Sequence, residues 1–563
     1  LVLMALITLS VGLILTSGFA AFMVGHLNMI SIAFALLFIG LSNDYSIHIL
    51  LRLRESMRKY TTQTAIFSSL SAVAPSLLLC AVSTTIGFFA FLPTAFHGVS
   101  ELGLIAGTGI LISFVLHFTF LPALLTLFPP KNTYTTRDST WNKITELPFV
   151  YRKTILFTFF ALCIGSLFLI KNLQFNADPM QLRDPTQPSV ITFLELDKKL
   201  DKSLLSITYL ANDFQELGEI KENILKLPSV KEVMTIHDFI PDNQKKKIAE
   251  IAAIRELFHS IKITKTSPET LVSRIASLKA LITLLSPYAH YSIVKDFRVN
   301  AQDFIERTGK LPLFEQVRTW DNLSYKLLRG LEYHRSQMQQ GLLGEPFIVE
   351  DLPAELLSRW KQNATYRIEI FPKESMENIK NQQTFVHEVL SVVPHATGLP
   401  VIHEKAGETV VTAFVEAFLT AFIMILLLLI LLMQNLKQII LTLIPLLAAC
   451  LITIAVAVVF NVDFNFANVI ALPLLLGIGI DNGIHLVHRY YSDWEHKTSL
   501  LASSTAKAVI VSTLTTIFSF MNLAFSPHQG MASLGIILTV GMIAASLSTL
   551  LFLPALLKTW NGK

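Results

Sequence analysis

Ten stretches of this chain are apolar over about the 20 residues that a helix needs to cross a bilayer. That feature decides most of what the chain can fold into. The runs lie near 1–24, 28–51, 70–95, 99–128, 153–171, 409–433, 436–460, 466–489, 505–526 and 530–558. Hydrocarbon offers no partner to a free backbone amide, so each run has to be helical. The chain is 52% hydrophobic and 15% charged, against about 25% charged for an ordinary soluble domain. A polytopic α-helical membrane protein follows. The first run begins at Leu1 without the basic start of a signal peptide, and the chain reads as the later part of a longer one.

Five spans precede a polar stretch and five follow it. The chain divides into first-half spans at 1–128, a cytoplasmic connector at 129–152, a span at 153–171, a polar region at 172–408 and second-half spans at 409–563. Lys and Arg mark cytoplasmic loops. They gather in RLRESMRKY (52–60), in the connector (Lys131, Arg137, Lys143, Arg152 and nearby Lys153) and in RYYSDWEHK (489–497). The alternate loops GHLNM, PTAFHGVSE, NVDFN and SPHQG have neither, so they and the 172–408 region face outward. Within that region SLLSITYLAND reads as a strand, FQELGEIKENILKLP as a helix and VKEVMTIHDF as a strand. A helical insert at about 242–362 follows, then TYRIEIFPK as a strand, NIKNQQTFVHEVLSVVP as a helix and HATGLPVIHE as a strand. Two βαβ units around an insert predict a split ferredoxin-like α+β fold.

The two sets of spans repeat one another. GLSNDYSIHILLRLRES (40–56) returns as GIGIDNGIHLVHRYYSD (477–493), so Asp44, His48 and Arg52 match Asp481, His485 and Arg489 at one constant offset. VSTTIGFFAFLPTAF resembles VSTLTTIFSFMNLAF, LPALL occurs twice, and Asn28 corresponds to Asn465. Residues four apart share a helix face, so each half carries an Asp–His–Arg stripe running toward the cytoplasm. An Asp at a span centre costs roughly 2.5–3.5 kcal/mol, and this chain bears that cost twice. Desolvation favours the protonated form of a carboxyl group, which lets one exchange protons near neutral pH. A proton moving inward yields about 2.3 kcal/mol per 100 mV. Paired halves with coupling-ion sites near the midplane are a common plan of secondary transporters.

The plain readings stand beside these. A lone intramembrane Asp is often a structural hydrogen-bond partner; its repetition favours a relay. His48 and His485 fit a packing role as well as a relay role, and Arg52 and Arg489 read as topology anchors. Ser83, Thr84, Ser512, Thr513 and Thr516 lie in neighbouring spans within range of the aspartates, although such hydroxyls often bond their own helix. His117 reads as packing. Cys80, Cys163 and Cys450 all lie in apolar runs without metal-type spacing, so neither metal nor cofactor is expected. The net charge of +4 gives no case for nucleic acid.

GLSNDYSIHILLRLRE and GIGIDNGIHLVHRYY resemble the fourth and tenth spans of RND-superfamily exporters of the MMPL type. HLNMISIAFALLFIGLSNDYSI, FHGVSELGLIAGTGILISF, HDFIPDNQKKKIAEI, NFANVIALPLLLGIGIDNGI and SPHQGMASLGIILTVGMIAASLSTLLFLPALL are most similar to its hopanoid-transporter (HpnN-like) branch. The resemblance implies a twelve-span plan of which this chain covers spans three to twelve, without the first porter domain. It implies proton-driven movement of hopanoid-like lipid from a bacterial inner membrane toward the outer one, with 172–408 as a periplasmic porter domain. A second copy, a periplasmic partner chain or an upstream continuation would complete the porter. It also implies a relay through Asp44, Tyr45, His48, Asp481, Asn482 and His485. Two departures stand out. Asn482 replaces the family's Tyr, leaving Tyr45 as the only phenol for either aspartate, and Ser42 replaces a second Gly.

Two other readings compete. A sterol-sensing regulator shares spans three to six of this superfamily and would bind lipid without proton flux. An export motor of the SecD/SecF type is also duplicated, but its Asp-Ala-Asn motif is absent. No Walker A, HExxH or GxSxG motif occurs, so nothing supports a hydrolase.

Overall fold

The computed structural model describes every residue except 29, 95, 131–146, 200–203, 261–269, 329, 377, 434, 493–500, 502–503 and 561–563. Lys131, Arg137 and Lys143 of the expected connector, and residues 493–497 of the loop after Arg489, lie outside the described residues.

The chain is a polytopic helical membrane protein. Ten helices among the described residues are long and apolar enough to cross a bilayer. The first five are α1 (Val2–Met23), α2 (Phe34–Ser56, entered through a 3-10 turn at Ser31–Ala33), α3 (Thr62–Phe89), α4 (His97–Leu127) and α5 (Arg152–Leu169). Between the fifth and sixth spans lie β1 (Phe175–Asn176), α6 (Pro188–Lys199), β2 (Ile207–Ala211), α7 (Phe214–Leu225) and β3 (Val230–Met234). Six helices follow, from α8 (Gln244–Ser260) to α13 (Ala354–Trp360), then β4 (Lys361–Gln362), β5 (Thr365–Pro372) and α14 (Ile379–Val392). The second set of spans is α15 (Leu399–Leu432), α16 (Leu436–Val459), α17 (Ala471–Ser492), α18 (Ser504–Leu523) and α19 (Gln529–Leu547). A π-helical turn at Ser548–Phe552 carries α19 into α20 (Leu553–Trp560), and β6 (Phe464–Asn465) precedes α17.

Apolar composition fixes where each span lies but not where its helix ends. α3 begins at Thr62 rather than near 70, and α15 at Leu399 rather than 409, because polar turns continue both helices past the apolar stretch. α15 has 34 residues, about 50 Å at 1.5 Å per residue, against a hydrocarbon core of roughly 30 Å.

Residues 395–404 do not form the expected strand. Only Thr397 pairs, through one antiparallel bridge to Thr208. Gly398 takes φ +148°, and a Cβ there would meet Ser206 O at 2.5 Å. Pro400 then occupies the first turn of α15, where its fixed φ suits a helix and its missing N–H costs nothing. The other βαβ elements form as read. β5 lies between β2 and β3, the interleaving of a split βαβ fold, with its fourth strand reduced to that bridge.

Cα proximity divides the chain into two compact units. One comprises residues 210–222 and 233–369. There the Gln244 side chain closes on the Phe347 backbone in both directions, at 2.9 and 3.0 Å, and Arg255 Nε donates to Leu342 O at 2.7 Å. The other unit holds all ten spans. Its core packs α2 on α3, α4 and α18, and α17 on α3, α15 and α16. β1 pairs in parallel with β6, Phe175 with Phe464 and Asn176 with Asn465.

Candidate functional site

α2 and α17 each carry their aspartate midway, and each presents it to a helix of the opposite half. Asp481 on α17 accepts from Ser83 Oγ and Thr84 Oγ1 of α3, both at 3.0 Å. Asp44 on α2 accepts from Thr516 Oγ1 of α18, at 3.4 Å to either oxygen, and Ser512 of α18 lines the same space. The same threonines also donate to the carbonyls of the facing helix: Thr84 to Gly477 O at 3.2 Å and Thr516 to Gly40 O at 3.3 Å. The pseudo-symmetry therefore reaches individual hydrogen bonds. It is not complete, because Thr513 donates nothing to Asp44 and instead accepts from Asn482 Nδ2 at 3.1 Å.

Both aspartates line one small cavity with Leu41, Tyr45, His48, Cys80, Thr84, Asn482, His485 and Ser512. Its volume of about 20 Å³ suits a single water. Both aspartates are half-buried. His48 and His485, both in the cavity lining, stack face to face, ring centroids 4.1 Å apart and 18° from parallel. Sequence reasoning placed them one turn below the aspartates but gave no sign of this stack. It also missed Cys80, whose Sγ sits 3.4 Å from His485 Nε2; an isolated Cys in an apolar run looks like core.

Tyr45 makes no hydrogen bond to Asp481. Its ring packs edge-on against Phe114 and His117 of α4, at 6.1 and 5.6 Å. His117, read as packing, is part of a buried polar chain. Nδ1 lies 2.7 Å from Ser113 O and Nε2 2.8 Å from Ser46 Oγ, while Ser42 Oγ and Ser113 Oγ are 2.6 Å apart. Ser42 is thus a hydrogen-bonding residue where a Gly would only bring helices closer. Arg52, at the C-terminal end of the stripe, pairs with Glu55 at 2.7 Å.

The outer ends of α2 and α17 repeat as well. Asn28 Oδ1 caps Ile30 N and Ser31 N, and Asn465 Oδ1 caps Ala467 N and Asn468 N. Asn28 Nδ2 donates to Glu101 Oε2 at 2.5 Å, and Asn465 Nδ2 to Ser533 Oγ at 3.1 Å. No group of three or more His, Cys, Asp or Glu side chains suited to a metal ion occurs among the described residues. Chemically, the site offers two carboxyls, two imidazoles, a thiol and several hydroxyls around one water-sized space. Such groups hold and pass protons.

A family model described as the MMPL family matches residues 1–153 and 363–561. The chain belongs to the MMPL family. Similar MMPL-type relatives are the hopanoid transporters HpnN of Rhodopseudomonas palustris and Burkholderia multivorans. They are 31% identical over 576 residues and 32% identical over 560 residues, and each alignment covers 98% of this chain and 63% of the relative. The chain thus spans under two thirds of their length. Among solved structures, SecDF of Thermus thermophilus is 14% identical at a TM-score of 0.49, covering 99% of this chain and 59% of that one.

Proposed function

We propose that the protein is a proton-driven exporter of hydrophobic, hopanoid-like lipid, moving cargo from a bacterial inner membrane toward the outer membrane. Residues 172–408 form one periplasmic wall of the cargo path, and a second copy, a periplasmic partner or an upstream continuation of the chain completes it. One observation carries the reading: each half's half-buried aspartate is bonded to hydroxyl groups of the opposite half, two for Asp481 and one for Asp44, around a shared cavity. A sensor needs no such pair. The cargo class rests on the names of the two relatives.

An ionised carboxylate accepts strong charge-assisted hydrogen bonds, whereas a protonated one accepts weaker bonds and can donate. Protonating Asp481 therefore loosens its hold on Ser83 and Thr84, and protonating Asp44 loosens its hold on Thr516. These bonds cross between the halves, so each proton changes how α3 meets α17 and α2 meets α18. His48 and His485 line the same water-sized space as the two carboxyls, so a proton can pass between them there.

The test uses the full-length gene product in liposomes containing a hopanoid or a phospholipid probe. Gradient-driven release of hopanoid to an acceptor, lost in Asp44→Asn and Asp481→Asn, supports the reading. Specific binding of hopanoid without gradient-driven release favours the lipid-sensing alternative.

A further inference from the structure

The site's two departures from symmetry fall in one place. In the repeat that aligns Asp44 with Asp481, Tyr45 stands where the second half has Asn482, and Ser42 and Ser46 where it has Gly479 and Gly483. In the repeat that aligns the two LPALL segments, Ser113 and His117 stand where it has Ala545 and Thr549. The polar chain between α2 and α4 therefore belongs to the half that keeps the tyrosine. The second half needs no such chain, so simple helix packing does not require it.

The chain fixes the His117 ring at both nitrogens. A carbonyl only accepts, so Nδ1 carries the hydrogen toward Ser113 O, and Nε2 accepts from the Ser46 hydroxyl. Ser46 follows Tyr45 directly on α2, and the fixed ring lies edge-on to Tyr45 at 68°. Tyr45 is buried and donates no hydrogen bond among the described residues, and its ring packs on His117 and Phe114, which orient it. Those contacts hold it in the wall of the cavity that Asp44 and Asp481 share.

We infer that His117 is a positioning residue: anchored by Ser46 and Ser113, it sets where Tyr45 stands beside the two aspartates. This rests on the reading of the cavity as a proton relay. Ser42 contributes one step removed, by bonding Ser113.

The experiment places 3-fluorotyrosine at position 45 of the full-length protein in lipid nanodiscs and records its fluorine spectrum. The protein otherwise unchanged gives one line. Ser46→Ala and His117→Phe displace that line or add a second, while Ser166→Ala, which removes a hydroxyl bonded within α5, leaves it alone. An unmoved line in Ser46→Ala overturns the inference, and that small substitution carries the test even where His117→Phe fails to fold. In liposomes, Ser46→Ala lowers gradient-driven release about tenfold and lowers it no further in a Tyr45→Phe background. Losses that multiply in the double variant also contradict it. Asp44→Asn and Asp481→Asn variants that retain gradient-driven release would sink the relay itself, a failure the fluorine spectrum does not share.

Discussion

Asp44 and Asp481 occupy matching positions but are held differently. Asp481 has two separate hydroxyl donors at 3.0 Å, whereas the two bonds from Thr516 to Asp44 are 3.4 Å long and share one hydrogen. Hydrogen bonds weaken with such lengthening. Thr84→Val is therefore expected to reduce gradient-driven transport by roughly tenfold, and Thr516→Val by clearly less, measured as initial rates in liposomes. Equal losses would contradict this ranking. A different carboxylate shows what pH does outside the membrane. Burial alone would push Asp238 up, but Lys221 Nζ at 2.6 and 2.8 Å, with Thr235 N and Oγ1 at 2.6 and 2.7 Å, holds it below its ordinary value. A carboxyl lowered on folding stabilises above its unfolded pKa of about 3.9 and loses that contribution as pH falls through the folded one. Amide protection across residues 230–240, corrected for the intrinsic exchange rate at each pH, is expected to fall as pH drops below about 4, and to begin falling at higher pH in Lys221→Met.

Helix contacts decide how near those groups come. A Cβ at Gly87 would lie 3.0 Å from Gly477 Cα, so α3 and α17 touch backbone to backbone one turn from the Asp481 hydrogen bonds. Gly477→Ala should push the pair apart at a cost of about 1–3 kcal/mol, seen as a lower Tm. Gly18→Ala, with nothing within 4 Å of its Cβ, serves as the neutral control. This scale also shows what the sequence could reveal. Ten apolar runs announced ten helices, and the repeat announced which residues would meet. It could not show that the threonine at 516, not the one at 513, reaches Asp44, because that depends on helix register. Nor could it show the Ser42–Ser113–His117–Ser46 chain, since small polar residues in apolar helices look alike whether they bond their own backbone or a neighbour. At 395–404 an apolar alternation read as a strand was the first turn of α15, with Pro400 and Val401 as its buried residues.

For the whole molecule, the repeat gives two halves whose polar groups interlock: α2 with α18 and α17 with α3. Asn28 and Asn465 cap their outer ends in the same way. Under the proposed topology the basic residues beyond Arg52 and around Arg152 lie in the cytoplasm, at the opposite side from those capped ends. A single cysteine introduced at Asp213, in a chain otherwise lacking its three native cysteines, should therefore react with an impermeant maleimide added from outside. One introduced at Arg58 should react only after permeabilisation; the reverse pattern would overturn the proposed topology. The central claim is that protons pass through the Asp44–Asp481 site as cargo moves. Its most direct test is proton flux and lipid release recorded together, with a pH-sensitive dye inside liposomes holding the full-length protein. The account predicts that lipid release is accompanied by proton entry and that both stop in Asp44→Asn and in Asp481→Asn. Lipid release that continues in either variant, or proceeds without proton entry, would contradict it.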